Sequence, residues 1–133
     1  MTPEEKSTYL QYRLHRSKET LLEARTLFEQ NLFSGAVNRI YYAMFYAVSA
    51  LALFHGFSTS SHAQLRGYFN REFVKTGLMS VEFGKLYGDA FDSRTKGDYD
   101  DLVTFEREQV DDMLKNAEKF IDAVTNLVQS YMK

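Results

Sequence analysis

Arg94, Asp98 and Tyr99 fall in the short segment Ser93-Arg94-Thr95-Lys96-Gly97-Asp98-Tyr99-Asp100, which gathers both charge signs and a phenol. An arginine can grip a phosphate or carboxylate through two parallel N–H groups. An aspartate can orient that arginine or accept a proton, and a tyrosine can stack on a base or donate through its hydroxyl. These three are therefore the candidate catalytic residues. Gly97 reads as a turn that sets Asp98 and Tyr99 beside the guanidinium, so the segment is read as a connection between two helices. The same residues also fit a structural role: Arg94 at a helix C-terminus, Asp98 paired with it, and Tyr99 closing the end of a bundle.

A second group opens a long apolar helix, Asn38-Arg39-Ile40-Tyr41-Tyr42. Asn38, Arg39 and Tyr42 are three or four positions apart and share a face, which Tyr46 extends by a turn. An arginine left buried and unpaired is costly, so Arg39 must reach solvent, a carboxylate or a ligand phosphate. With Lys96, these residues form the candidate nucleotide- or RNA-binding set: Asn38, Arg39, Tyr42 and Lys96. His62 stands in the first turn of a later helix, where exposed amides favour an anion, although a lone histidine there is more often a surface or capping side chain.

Other chemistry is thinly supplied. The chain has no cysteine and its three histidines, His15, His55 and His62, are scattered, so no metal site and no cofactor are expected. There is no glycine-rich phosphate loop, no nucleophile elbow and no histidine pair at i, i+4. The acidic run Asp98, Asp100, Asp101, Asp111 and Asp112 lacks the spacing of a calcium loop and reads as a solvated surface.

Length and composition bound the rest. The 133 residues, 44% apolar and 26% charged, suit one soluble domain spanning 1–133. A formal charge of −2 means that any hold on nucleic acid depends on a local cluster of arginine and lysine. Met1-Thr2-Pro3-Glu4-Glu5-Lys6 has no basic stretch leading into an apolar one, so a cytoplasmic protein is expected. The apolar run from Ile40 to Phe54 is about fifteen residues against the roughly twenty of a membrane span, and reads as a central bundle helix with no membrane role.

The elements that position these groups are helical throughout. Thr2-Pro3-Glu4-Glu5 starts a first helix running to about Asn31, with Leu10, Leu14, Leu21, Ala24 and Phe28 on one face. Ser34 and Gly35 punctuate the chain before a second helix that stops near Gly56. Ser61 and Gln64 form a capping box for a short third helix closed by Gly77. Ser80 caps a fourth ending around Arg94, in which Gly84 and Gly88 permit close helix approach, within the chain or between chains. A connection from Arg94 to Val103 follows, then a last helix capped by Thr104 with Glu106 and Glu108 in its first turn. No alternating strand pattern appears, so the expectation is an all-α, up-and-down bundle of four to five helices.

The series Ala36-Val37-Asn38-Arg39-Ile40-Tyr41-Tyr42-Ala43-Met44-Phe45-Tyr46-Ala47, then Ser61-His62, Phe73-Val74-Lys75-Thr76-Gly77, and Arg94 through Asp98-Tyr99 resembles the HEPN domain family, in its small stand-alone bacterial and archaeal branch. The resemblance implies a helical bundle, commonly a homodimer, often paired with a minimal nucleotidyltransferase in toxin–antitoxin or stress-defence systems. It implies nucleotide or RNA binding and, in many relatives, metal-independent ribonuclease activity from an arginine followed four to six residues later by a histidine. Arg94 matches the arginine; Asp98 occupies roughly the place of the histidine, which is absent, and an ordinary carboxylate is a weaker acid–base group at neutral pH. Burial would have to raise Asp98, or Tyr99 or His62 would have to substitute for it. A tyrosine near the motif is a site of nucleotide attachment in paired relatives, and Tyr99 is the position most like it. The alternatives are a ribonuclease with an altered Arg-Asp-Tyr motif or a non-catalytic helical interaction module.

Overall fold

The computed structural model describes residues 1–132. They form five α-helices, α1 (Pro3–Glu29), α2 (Phe33–Phe54), α3 (His62–Phe69), α4 (Val81–Tyr99) and α5 (Arg107–Tyr131), with a π-type turn over Asn70–Val74 following α3. No strand occurs among the described residues.

α1 begins as its sequence dictates: the Thr2 hydroxyl accepts from the Glu5 amide at 3.1 Å and Pro3 opens the first turn. Its end is set by Asn31, in left-handed conformation at φ 60°, which lets the Leu32 amide donate to the Leu27 carbonyl at 2.9 Å. α2 therefore starts at Phe33, and Ser34 and Gly35 lie inside its first turn; Asn31 is the punctuation. The two helices run antiparallel, as cross-links at Lys6 to Phe54, Arg13 to Ser49 and Ser17 to Ala43 step in opposite directions along them.

α2 is the spine, packed by α1, α3, α4 and α5. Val37, Ile40, Tyr41, Met44, Ala47, Val48 and Leu51 are all buried in it, which explains the apolar run. It is also the one described helix long and apolar enough to cross a membrane. Val110, Leu114, Phe120, Ile121 and Val124 of α5 close the core on one side, and Phe69 and Tyr87 meet Phe120 at 5.6 Å.

The Arg94 segment differs from expectation. α4 continues to Tyr99, so Ser93 through Tyr99 are helix and the connection shortens to Asp100–Glu106. Gly97 makes no turn; a Cβ there would stand 3.3 Å from the Phe105 ring, so its bare backbone gives that ring room against α4. Seating Phe105 keeps the chain extended past Thr104, and α5 begins at Arg107 with Glu106, not Thr104, in the cap position. The α4 end is tied instead by Asp100, whose carboxylate accepts from the Leu102 amide at 3.0 Å. Ser61 and Ser80 cap α3 and α4 as expected, each accepting from an amide at 3.2 Å. Gln64 does not complete a capping box: its side chain accepts from the Thr59 hydroxyl. α3 itself stops at Phe69, and Gly77, at φ +85°, closes the π-type turn that follows.

Candidate functional site

Because α4 runs on, Arg94 and Asp98 sit one turn apart on the same face, with Nη1 donating to Oδ2 at 3.2 Å. The Arg94 side chain is only 11% exposed. Its guanidinium lies over Tyr41 at 4.9 Å, Tyr42 at 5.7 Å and Phe91 at 5.8 Å. The ring faces attract the cation and exclude water from one side of it. Arg94 Nε is buried with no hydrogen-bond partner, an unfilled donor on a charge that is already partly desolvated.

His62 joins this centre from α3. Its Nδ1 is 2.8 Å from the Tyr41 hydroxyl, and its ring packs on Phe45 at 4.6 Å and on Tyr42 at 5.6 Å. Burial first and the Arg94 charge second push its pKa below the ordinary value of 6.5, so it is neutral at pH 7. Tyr41, chiefly through burial, is pushed up to about 12. A guanidinium, a neutral imidazole and a phenol thus share one aromatic platform.

Arg39 also lies over the Tyr42 ring, at 4.9 Å, held by two hydrogen bonds to Asn38 Oδ1 at 3.1 and 2.9 Å and facing Glu23 at 3.8 Å. The structure therefore brings Arg94, Asp98, Tyr42, Arg39 and Asn38 together. Lys96 and Tyr99 lie elsewhere. Lys96, two positions beyond Arg94, points to another helix face and lines a groove of about 450 Å³ between α4 and α5, floored by Ile40, Met44 and Met113. Tyr99, five positions on and about 140° around the helix from Arg94, is 81% exposed.

No group of three or more histidine, cysteine or acidic side chains suited to a metal occurs among the described residues. Gly84 and Gly88 serve packing within the chain, facing Val74 and Arg66 respectively. Arg66 and Arg16, which sequence pattern did not single out, flank the site: Arg66 lies over Phe91 at 5.1 Å and Arg16 over Tyr46 at 5.1 Å. The only sequence signal for Arg66 was Gly88, whose missing side chain makes its seat.

The HEPN domain profile matches residues 10–127, spanning every element that builds this centre. The chain belongs to the HEPN domain family. Across 125 residues it is 46% identical to a UPF0332 protein of Thermotoga maritima, covering 94% of this chain and 95% of that one. It is 28% identical over 109 residues to a Methanocaldococcus jannaschii protein named "Putative toxin MJ0142", covering 82% of this chain and 74% of that one. A UPF0332 protein of Archaeoglobus fulgidus is 28% identical over 119 residues, covering 90% of this chain and 94% of that one.

Proposed function

We propose that this HEPN protein binds the phosphate of a nucleotide or RNA at Arg94, and that it is the effector of a toxin–antitoxin or stress-defence pair with a nucleotidyltransferase. The observation that carries the binding reading is the Arg94 guanidinium, held on three aromatic rings with one carboxylate partner and a buried Nε unfilled. A phosphate completes such a donor set. The toxin context is supported by the names of two relatives from M. jannaschii. Tyr99, the most exposed tyrosine among the described residues and at the end of α4, is the phenol this reading assigns to nucleotide attachment by that partner. A second copy of the chain completing the groove is part of this reading, and light scattering at micromolar concentration tests it. Titration of labelled RNA or AMP against the parent and Arg94→Ala tests the site: binding by the parent alone supports it, and equal binding by both removes it.

Cleavage of the bound RNA is a second reading, favoured by His62 beside Arg94 with Nδ1 anchored on Tyr41. A neutral imidazole at pH 7 can accept a proton that Asp98, already paired with Arg94, is poorly placed to take. RNA incubated with the parent, His62→Asn and Asp98→Ala separates the two groups. Loss of cleavage in His62→Asn alone assigns the proton to the imidazole, and no cleavage by the parent leaves a binding module.

A further inference from the structure

The antiparallel pair α1 and α5 is fastened at two levels, where Arg25 meets Glu118 at 3.3 Å and where the Gln11 amide reaches the Met132 sulfur at 3.9 Å. Between those levels the helices leave an open pocket of about 190 Å³. Gln11, Leu14, His15 and Lys18 line it from α1, spaced i, i+3, i+4 and i+7 on one helix face, and Thr125 and Gln129 line it from α5, one turn apart. None of the side chains that surround Arg94 is in its walls.

The chemistry of this pocket is one-sided. The Lys18 ammonium, the His15 imidazole and the Gln11 and Gln129 amides can all donate hydrogen bonds, and no carboxylate is among the lining residues. Lys18 makes no ion pair among the described residues, and Asp122, one turn before Thr125, is not in the walls. His15 Nε2 has the Glu19 carboxylate at 3.6 Å, and Arg16 engages that carboxylate more closely. The floor is Leu14 and Thr125, both buried, and the Thr125 hydroxyl has no hydrogen-bond partner. A buried hydroxyl left without a partner is costly where valine would not be. A helical threonine has two accessible χ1 wells, so this hydroxyl can turn toward an acceptor that enters the pocket.

We propose that this pocket binds a small oxyanion, a phosphate or carboxylate group. Lys18 supplies the charge, Gln11, His15 and Gln129 donate from the sides, and the Thr125 hydroxyl donates from the floor. At about 30 Å³ per water the pocket has the room of roughly six waters, which suits a four-oxygen anion and falls short of the about 300–1,000 Å³ that encloses a drug-sized ligand. It therefore takes the anionic group alone. The site stands apart from the Arg94 reading and does not depend on it. Because its donors come from both helices, a bound anion ties α1 to α5 and stabilises the folded chain by mass action.

The test titrates the whole chain with sodium phosphate, sodium acetate and, at matched ionic strength, sodium chloride, following the Gln11 and Gln129 side-chain amides by NMR. It is run on the parent and on Arg94→Ala, which removes any phosphate held at Arg94. Saturable shifts in both proteins with phosphate or acetate, and none with chloride, are expected. Phosphate alone assigns a phosphate group, acetate alone a carboxylate, and both an oxyanion in general. Lys18→Ala should weaken binding about 10-fold, the loss of one charge-assisted contact, and Lys75→Ala, an exposed control, should bind as the parent does. Thr125→Val should keep or raise the melting temperature without anion, yet weaken anion binding about 3- to 10-fold, a split that a purely structural hydroxyl would not give. Shifts that grow equally with chloride, or Lys18→Ala and Thr125→Val binding as tightly as the parent, overturn the site. Saturation seen in the parent and lost in Arg94→Ala places the anion at Arg94 and also overturns it. A lower melting temperature of anion-free Thr125→Val shows that the hydroxyl is satisfied within the fold and removes Thr125 from the proposal.

Discussion

The Tyr41 hydroxyl, from the middle of the core helix, lies 2.8 Å from Nδ1 of His62, the first residue of α3. It fixes the ring that faces Arg94 and couples the fold to pH. His62 is held below 6.5 by burial and then by Arg94; His55 is also held below it by burial and then by Lys6. In the unfolded chain both return to about 6.5, so the unfolded state binds more protons under mild acid. Stability is therefore level above about pH 6.5 and falls as pH drops from there to the depressed folded values. Urea midpoints at about pH 7.5 and 5.5 should show this fall. In Arg94→Ala the His62 ring proton, followed by NMR, should titrate at higher pH than in the parent. A His62 titration above 6.5 in the parent contradicts the arrangement.

Tyr99 separates modification from stability. Its side chain is 81% exposed at the last turn of α4, so Tyr99→Phe should change unfolding free energy by no more than about 0.5 kcal/mol. If Tyr99 is the attachment site, co-expression with a minimal nucleotidyltransferase of the kind proposed as its partner adds a nucleotide mass to the parent and none to Tyr99→Phe. The adduct persisting in that variant would place attachment on another residue.

Two buried hydroxyls one turn apart on α1 should behave oppositely. Ser17 Oγ donates to the Ala43 carbonyl at 2.6 Å, stitching α1 to α2. Ser17→Ala should cost about 1 kcal/mol. Thr20 Oγ1 is buried without a partner, so Thr20→Val, which keeps the shape and removes the unsatisfied oxygen, should be neutral or stabilising by about 1 kcal/mol. Denaturant unfolding of both variants checks the contrast, and destabilisation by Thr20→Val would mean that the hydroxyl has a partner in solution.

The sequence made local features plain and concealed those made by distant contact. Thr2, Ser61 and Ser80 announce helix starts because a cap is a bond between near neighbours. The apolar faces of α1, α2 and α5 follow from spacing alone. Gly97 misled because its type favours turns, whereas its role is to admit Phe105, eight positions away along the chain. At the site, Arg94 with Asp98 and Asn38 with Arg39 were legible as short-range pairs. His62 on Tyr41 and Arg66 on Phe91 were not, because each joins residues more than twenty positions apart in the chain. Lys96 and Tyr99 were grouped with Arg94 on the assumption of a loop, and the helical twist of α4 separates them.

Gly84 and Gly88 look alike in sequence, one turn apart on α4, yet their surroundings set different outcomes for alanine. At Gly84 a Cβ would stand 3.0 Å from Val74 Cγ2 and 3.2 Å from Asn70 Oδ1. Val74 is a β-branched side chain packed on the core at the end of the π-type turn, with little freedom to move. Overpacking there should outweigh the gain of up to about 1 kcal/mol in helix propensity, so Gly84→Ala should lower stability by on the order of 1 kcal/mol. At Gly88 the close atom is the Arg66 guanidinium, the far end of a flexible chain that solvent can accept. Gly88→Ala should therefore keep or raise the melting temperature while moving Arg66 off Phe91 and weakening its contact with Asp92. Thermal melts of the two variants side by side give the stability contrast, and an Arg66 side-chain NMR signal shifted only in Gly88→Ala gives the displacement. Equal destabilisation by both would mean that Arg66 is locked in place by packing and that its seat belongs to the core.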